Sequence, residues 1–119
     1  MTIRLKRVYE TAEAGDGTRV LVDRLWPRGL AKEKAGIDLW LKDVAPSDEL
    51  RKRFHARPEL WDDFRAAYAT ELEREPARTA LAELRGLRQH GAVTLLYAAR
   101  DEERNNAIAL KEWLEREAP

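Results

Sequence analysis

Residues 19–25 form a largely apolar segment that leads directly into a polar, aromatic turn, and this junction constrains the fold most. The segment is apolar at the positions that a strand would bury, which predicts a strand with both faces covered, as in a parallel sheet between helices. Pro27 and Gly29 end this strand. The turn carries one carboxylate, one indole and two guanidinium groups, on Asp23, Trp26, Arg24 and Arg28. Open α/β sheets gather ligand-binding groups at the carboxyl ends of their strands, so the turn predicts a binding site without naming a substrate.

The rest of the chain predicts three more strands and five helices. The other strands are residues 3–8, 37–44 and 92–97, although residues 37–44 also fit a helical spacing. Helices are predicted over residues 30–35, after Ser47 as N-cap, from Pro58, from Pro76, and after Asp101 as N-cap. The order β-β-α-β-α-α-α-β-α predicts one small layered α/β domain over residues 1–119, with a mostly parallel sheet of about four strands flanked by helices.

Composition narrows the classes of function. Basic and acidic residues balance at 22 each, and this zero net charge argues against nucleic-acid binding. The chain has no run of about 18 apolar residues and no signal-peptide pattern, so we expect a cytoplasmic protein that does not enter membranes. It has no cysteine and two histidines, which excludes thiol chemistry and a histidine-rich metal centre. One alternative is a hard-cation site on Asp23, Asp43 and Asp101, but the leading interpretation needs no metal or cofactor.

A second polar turn follows the strand predicted at residues 92–97. If the two strands are parallel neighbours, both turns lie at one edge of the sheet. Arg24, Arg28 and Arg100 then converge on an anion, since guanidinium groups match phosphate and carboxylate oxygens. This arrangement predicts a site for a small phosphate- or carboxylate-bearing ligand.

The other side chains of the two turns complete the predicted site. Trp26 and Tyr97 would pack against the body of the ligand. Asp23 and Asn105 would orient it. Asp23 is also the one credible general base, provided that burial raises its pKa.

A structural interpretation of the same residues stays open. Asp23 and Arg24 would then pair with each other or with Arg100 and Asp101, and Trp26 would close the core. The protein would be an interaction or regulatory module that meets its partner through the Trp61 helix or the basic residues 51–57. Neither interpretation fixes an oligomeric state or a reaction.

Other chemically suggestive residues have ordinary structural explanations. Ser47 is an expected helix cap rather than a nucleophile. His55 and His90 sit at predicted helix ends, where a cation is favourable. The stripe of Trp61, Phe64 and Tyr68 has helical spacing and is assigned to the core.

Four segments of the chain together resemble the YeaO-like family of bacteria and archaea, whose domain has no established function. They are residues 7–9, 17–29, 45–51 and 94–101, and the stretch VDRLWPRG is the most specific. The resemblance marks a set of motif residues without assigning their roles: Asp23, Arg24, Trp26, Arg28, Ser47, Tyr97, Asp101 and Asn105. Members commonly carry Asn-His where this chain has Asn105 and Asn106, and some wider relatives carry a Cys-His-Arg run there. The departure at Asn106 argues against a histidine-dependent reaction.

Overall fold

The computed structural model describes residues 3–117, whose strands form one four-stranded parallel sheet. The strands are β1 (Ile3–Arg7), β2 (Thr18–Leu21), β3 (Leu39–Trp40) and β4 (Val93–Tyr97). Their order across the sheet is β1-β4-β2-β3, which places β4 and β2 side by side at its centre. The predicted α/β class, with a parallel four-stranded sheet and flanking helices, is confirmed.

Five α-helices surround the sheet in the part of the chain that is described. They are α1 (Lys32–Ala35), α2 (Asp48–Ala56), α3 (Trp61–Leu72), α4 (Ala77–His90) and α5 (Asn106–Glu117). Two short 3₁₀ turns cover Ala14–Asp16 and Lys42–Val44. The order of the α-helices and strands follows the predicted order. Within residues 3–117, every helix is too short or too polar to span a bilayer.

The two faces of the sheet are covered in different ways. Val20 pairs with Leu95, and both side chains join the main core formed with α2, α3, α4 and α5. The next pair, Leu21 and Leu96, points to the opposite face because side chains alternate along a strand. That second face is covered mainly by the segment between β2 and β3. Both faces of β2 are therefore buried, as its apolar sequence predicts.

The strands are shorter than the sequence suggests. The β2 strand ends at Leu21 rather than at residue 25. The Ala98 N–H donates to the Asp23 carboxylate instead of to a backbone carbonyl of β2, so the strand pairing stops there. The strand predicted over residues 37–44 shrinks to β3. Its end curls into a 3₁₀ turn, and the Tyr68 hydroxyl donates a hydrogen bond to Val44 O at 2.5 Å.

Two helices begin later than predicted. Residues 57–60 form a turn closed by a hydrogen bond from Leu60 N to Arg57 O, so α3 starts after it rather than at Pro58. The last helix does not begin after Asp101. The Asp101 carboxylate accepts hydrogen bonds from the backbone N–H groups of Glu103 and Arg104, which lie before the helix. Asn105 caps α5 instead, because its side-chain oxygen accepts a hydrogen bond from Ile108 N at 3.0 Å. The predicted Ser47 cap of α2 is confirmed by the hydrogen bond from Leu50 N.

A buried ionic cluster crosses the second face of the sheet. The Asp16 side chain is fully buried and lies 2.6 Å from Arg19 Nη1 and 3.0 Å from Lys6 Nζ. Burial acts to raise the pKa of Asp16, but hydrogen bonds from Lys6, from the Glu13 backbone and from Arg19 lower it to about 2. The Thr94 hydroxyl donates to the Asp16 carbonyl and so ties the cluster to β4.

Candidate functional site at the carboxyl edge of the sheet

The ends of β2 and β4 lie next to each other, as the predicted site requires. These strands are parallel neighbours, with Leu21 paired to Leu96. Asp23 follows β2, and its carboxylate accepts hydrogen bonds from Ala98 N at 2.9 Å and from Asn106 Nδ2 at 3.1 Å. One side chain therefore joins the end of β2, the end of β4 and the start of α5.

Asp23 is held firmly and is partly shielded from water. Burial raises its pKa, while the hydrogen bonds from Ala98 and Asn106 and the charge of Arg51 act against this rise. Both of its oxygens accept hydrogen bonds, so the carboxylate is oriented by the protein itself. Asn106 also donates to the Val22 carbonyl at 3.0 Å. The geometry describes a structural carboxylate, and a role as general base stays a prediction.

Arg24 binds backbone rather than carboxylates. Its Nε donates to Pro46 O at 3.0 Å and its Nη2 donates to Ala45 O at 3.2 Å, which fastens the β2 turn to the segment before α2. Within residues 3–117, no ion pair joins Asp23 or Asp101 to an arginine. The alternative of an Asp/Arg ion-pair network at this edge is therefore not what the structure contains.

Trp26 packs beneath the turn as part of the second face. Its Nε1 donates to Leu30 O at 2.7 Å, and its ring meets the Trp40 ring edge-on at a centroid distance of 5.5 Å. Trp40 Nε1 in turn donates to Asp23 O at 2.7 Å. These contacts match the alternative in which Trp26 closes the core.

Tyr97 and Asn105 support the site from inside. Their exposed fractions are 3% and 2%, and Tyr97 belongs to the main core. Burial raises the pKa of Tyr97, whereas hydrogen bonding to the Asn105 side chain lowers it. Asn105 Nδ2 donates to Asp101 O at 2.9 Å in addition to its capping role. Contact of either side chain with a ligand stays a prediction.

Among the predicted site residues, Arg28 and Arg100 are the exposed cations, one on each turn. Their guanidinium groups make no hydrogen bond and no ion pair with any other residue in the described range. They are the two predicted arginines that are open to an external anion.

Two residues of the family segment 7–9, which the sequence did not assign to the site, connect the loops carrying these arginines. The Arg7 guanidinium donates to Ala98 O and Ala99 O, both at 3.0 Å, and lies 5.1 Å from the centre of the Tyr9 ring. The Tyr9 hydroxyl then donates to Arg28 O at 3.0 Å. The loops after β1, β2 and β4 thus form one continuous surface, which we call the rim. No periodicity in the sequence signals these contacts.

The alternative of a carboxylate metal site finds no support in the geometry. In the chain from residue 3 to residue 117, no three His, Cys, Asp or Glu side chains group together as metal ligands. Asp23, Asp43 and Asp101 therefore do not form the cluster that a hard cation needs.

Comparison with known proteins identifies the family. Residues 2–119 match the family model described as the inactive DUF488-N3 subclade. The chain is 44% identical over 117 residues to the uncharacterised protein YeaO of Escherichia coli K12, covering 96% of this chain and 97% of that protein. It is 45% identical over 112 residues to the uncharacterised protein Mb3100c of Mycobacterium bovis, covering 94% and 92%. No solved structure matches significantly. The chain belongs to the YeaO-like family, within the inactive DUF488-N3 subclade.

Proposed function

We propose that this protein binds a small phosphate- or carboxylate-bearing ligand at the rim and that binding, rather than turnover, is its role. The supporting observation is the pair of exposed guanidinium groups, Arg28 and Arg100, on loops that the Arg7 and Tyr9 contacts join into one surface. Arginine is suited to this task because its planar fork of donors fits phosphate and carboxylate oxygens.

The surroundings of the two arginines favour binding over catalysis. Both carboxylate oxygens of Asp23 accept hydrogen bonds from within the protein, and the neighbouring Asn106 has no titratable group. General acid–base catalysis requires a side chain that exchanges a proton near neutral pH. The description of the family as inactive agrees with this view.

The remaining predicted residues support the rim rather than face the ligand directly. Arg24 holds the β2 turn through the Ala45 and Pro46 carbonyls. Trp26, Tyr97 and Asn105 fix the turns from beneath. The function would be exercised in the cytoplasm, the location expected from the sequence.

The test is thermal unfolding of the full chain with phosphate, citrate or chloride at matched ionic strength. A ligand at ten times its dissociation constant stabilises the folded state by about 1.4 kcal/mol, or roughly 5 °C for a domain of this size. We expect such a saturable rise with phosphate or citrate and not with chloride.

The double variant Arg28→Gln/Arg100→Gln should keep its melting temperature without ligand and lose the rise. Arg53→Gln, an exposed arginine on α2, is the matched control and should keep it. A rise that survives in the double variant, or no rise in the wild type, contradicts the proposal.

A second function, binding of a protein partner, is favoured by one specific observation. Among the described residues, the large apolar side chains that are most exposed are Leu25 at 57% and Tyr9 at 44%, and both lie on the rim. Exposed aromatic and arginine side chains together are typical of interface hot spots. Recovery of a defined complex that is lost in Leu25→Ser, with no anion response in the wild type, would favour this function.

A further inference from the structure

An exposed aromatic ring, that of Tyr9, lies on the rim where the sequence predicts Trp26 and Tyr97 to pack against a ligand. Tyr97 is buried, and Trp26 packs against the Trp40 ring on the second face of the sheet. Tyr9 is 44% exposed, and it is the one aromatic side chain in residues 3–117 that is exposed rather than buried or half-buried. The ring on which a ligand can stack is therefore that of Tyr9.

The Tyr9 ring is placed between the two exposed arginines of the rim. Its hydroxyl donates to Arg28 O at 3.0 Å, so the ring borders the backbone from which the Arg28 side chain extends. Arg7 lies over the ring and donates to Ala99 O, the carbonyl directly before Arg100. A ligand whose anionic group meets Arg28 and Arg100 therefore has the Tyr9 ring beside its body.

The same contacts hold the ring in place before any ligand arrives. The hydrogen bond at the hydroxyl and the cation–π contact with Arg7 restrict the rotation of the Tyr9 side chain. A side chain that is already fixed loses little entropy when a ligand stacks on it. Stacking of one nucleobase on an aromatic side chain strengthens binding by roughly 5- to 150-fold.

The acidic residues around Tyr9 do not oppose a ring at this place. Glu10 is exposed, and its Oε2 accepts a hydrogen bond from Arg7 N at 2.8 Å, which holds the carboxylate against its own turn. Three more exposed acids follow Arg100, at positions 101–103. These charges lower the affinity of the rim for every anion alike, but the ring of a nucleobase is uncharged. Tyr9 therefore selects a ligand by its ring and not by its charge.

We infer that the ligand of the rim is a phosphate ester that carries a flat aromatic ring, of the nucleotide class, with its phosphate at Arg28 and Arg100 and its ring stacked on Tyr9. The inference rests on the proposed function, since the phosphate is what brings the ring to the rim. It adds the chemical class of the ligand and one binding residue, Tyr9, that recognition of an anion alone does not require.

The test is an NMR titration of the ¹³C,¹⁵N-labelled full chain with adenosine 5′-monophosphate, with ribose 5-phosphate and inorganic phosphate as comparisons. Ribose 5-phosphate carries the same phosphate and sugar without the base. We expect adenosine 5′-monophosphate to bind about tenfold more tightly than ribose 5-phosphate, which is within the range for one stacked base. At saturation, nuclear Overhauser effects should connect the adenine protons to the Tyr9 ring.

Two variants at one position separate the ring from the hydroxyl. Tyr9→Leu should abolish the tenfold preference and leave the affinity for ribose 5-phosphate unchanged. Tyr9→Phe is the matched control, because it keeps the ring and removes only the hydroxyl, and it should keep the preference. The spectra report whether each variant stays folded.

The inference and the proposed function fail in distinguishable ways. If none of the three ligands binds saturably, the proposed function fails and the inference fails with it. If phosphate and ribose 5-phosphate bind at the rim, three results overturn the inference alone. They are equal affinity for adenosine 5′-monophosphate and ribose 5-phosphate, a preference that survives Tyr9→Leu, and the absence of any Overhauser effect between adenine and the Tyr9 ring.

Discussion

Replacing Asp16 by Asn tests the buried ionic cluster that supports the second face of the sheet. The change keeps the size of the side chain and removes its charge, which leaves the buried Arg19 without its carboxylate. Breaking a buried ion pair by removing one partner costs about 3–5 kcal/mol. The lowering of the Asp16 pKa from 3.8 to about 2 corresponds to a stabilisation of the same order, about 2–3 kcal/mol at neutral pH.

We therefore expect Asp16→Asn to lose about 3 kcal/mol of unfolding free energy, which corresponds to roughly 12 °C in melting temperature for 119 residues. Urea unfolding at pH 7 measures this loss. The matched control is Asp48→Asn, which removes an exposed partner of Arg51 and should cost about 0.5 kcal/mol or less.

The pH dependence of the same pair of proteins gives a second readout. The folded pKa of Asp16 lies below its unfolded value, so its contribution is complete well above pH 3.8 and is lost as the pH falls towards 2. The difference between wild type and Asp16→Asn should shrink over that interval. A loss below about 1 kcal/mol at pH 7, or a difference that stays constant down to pH 2, would refute the reasoning.

Three further substitutions, one of them compared with Arg28→Gln, test how the rim and the helix beside it are supported. Asn106→Ala removes two hydrogen bonds, including the one to Asp23, and should cost about 1–2 kcal/mol in urea unfolding; a cost below about 0.3 kcal/mol would contradict this. Arg24→Gln should cost about 1–2 kcal/mol because two backbone carbonyls lose their donors, whereas Arg28→Gln should stay within about 0.5 kcal/mol. If thermal unfolding ranks the two arginines the other way, the assignment of their roles is wrong. Ser47→Ala removes the α2 cap and the hydrogen bond from the Ser47 hydroxyl to Glu71 on α3, while the bond from Ser47 N to Glu71 stays; calorimetry should show a loss of about 1–2 kcal/mol, and an unchanged transition would argue against the cap.

The sequence predicts the sheet well because buried strands are made of apolar residues, which can be recognised in the sequence. The apolar positions of β2 and β4 identify two buried strands, and the turns after them lie at one edge as expected. The Ser47 cap is equally local, since the cap and the N–H that it accepts are three residues apart. The exact ends of β2 and α5 depend on hydrogen bonds from backbone N–H groups to the Asp23 and Asn105 side chains. No local sequence pattern predicts these hydrogen bonds.

Side-chain partners across the fold are what the sequence could not supply. Asn106 binds Asp23 from a distance of 83 positions along the chain, and Arg7 reaches the end of β4 from the end of β1. Arg24 and Arg28 look equivalent in the sequence, yet one is committed to carbonyls and the other is free. Only the packing of the loops separates a supporting arginine from one that faces solvent.

The central claim is that the rim binds an anion through Arg28 and Arg100. The most direct measurement is an NMR titration of the labelled protein with phosphate at low ionic strength, which maps shifted backbone signals onto the structure. The account predicts saturable shifts confined to the loops after β1, β2 and β4 that disappear in Arg28→Gln/Arg100→Gln. Shifts that fail to saturate, that lie elsewhere on the surface, or that persist in the double variant would contradict it.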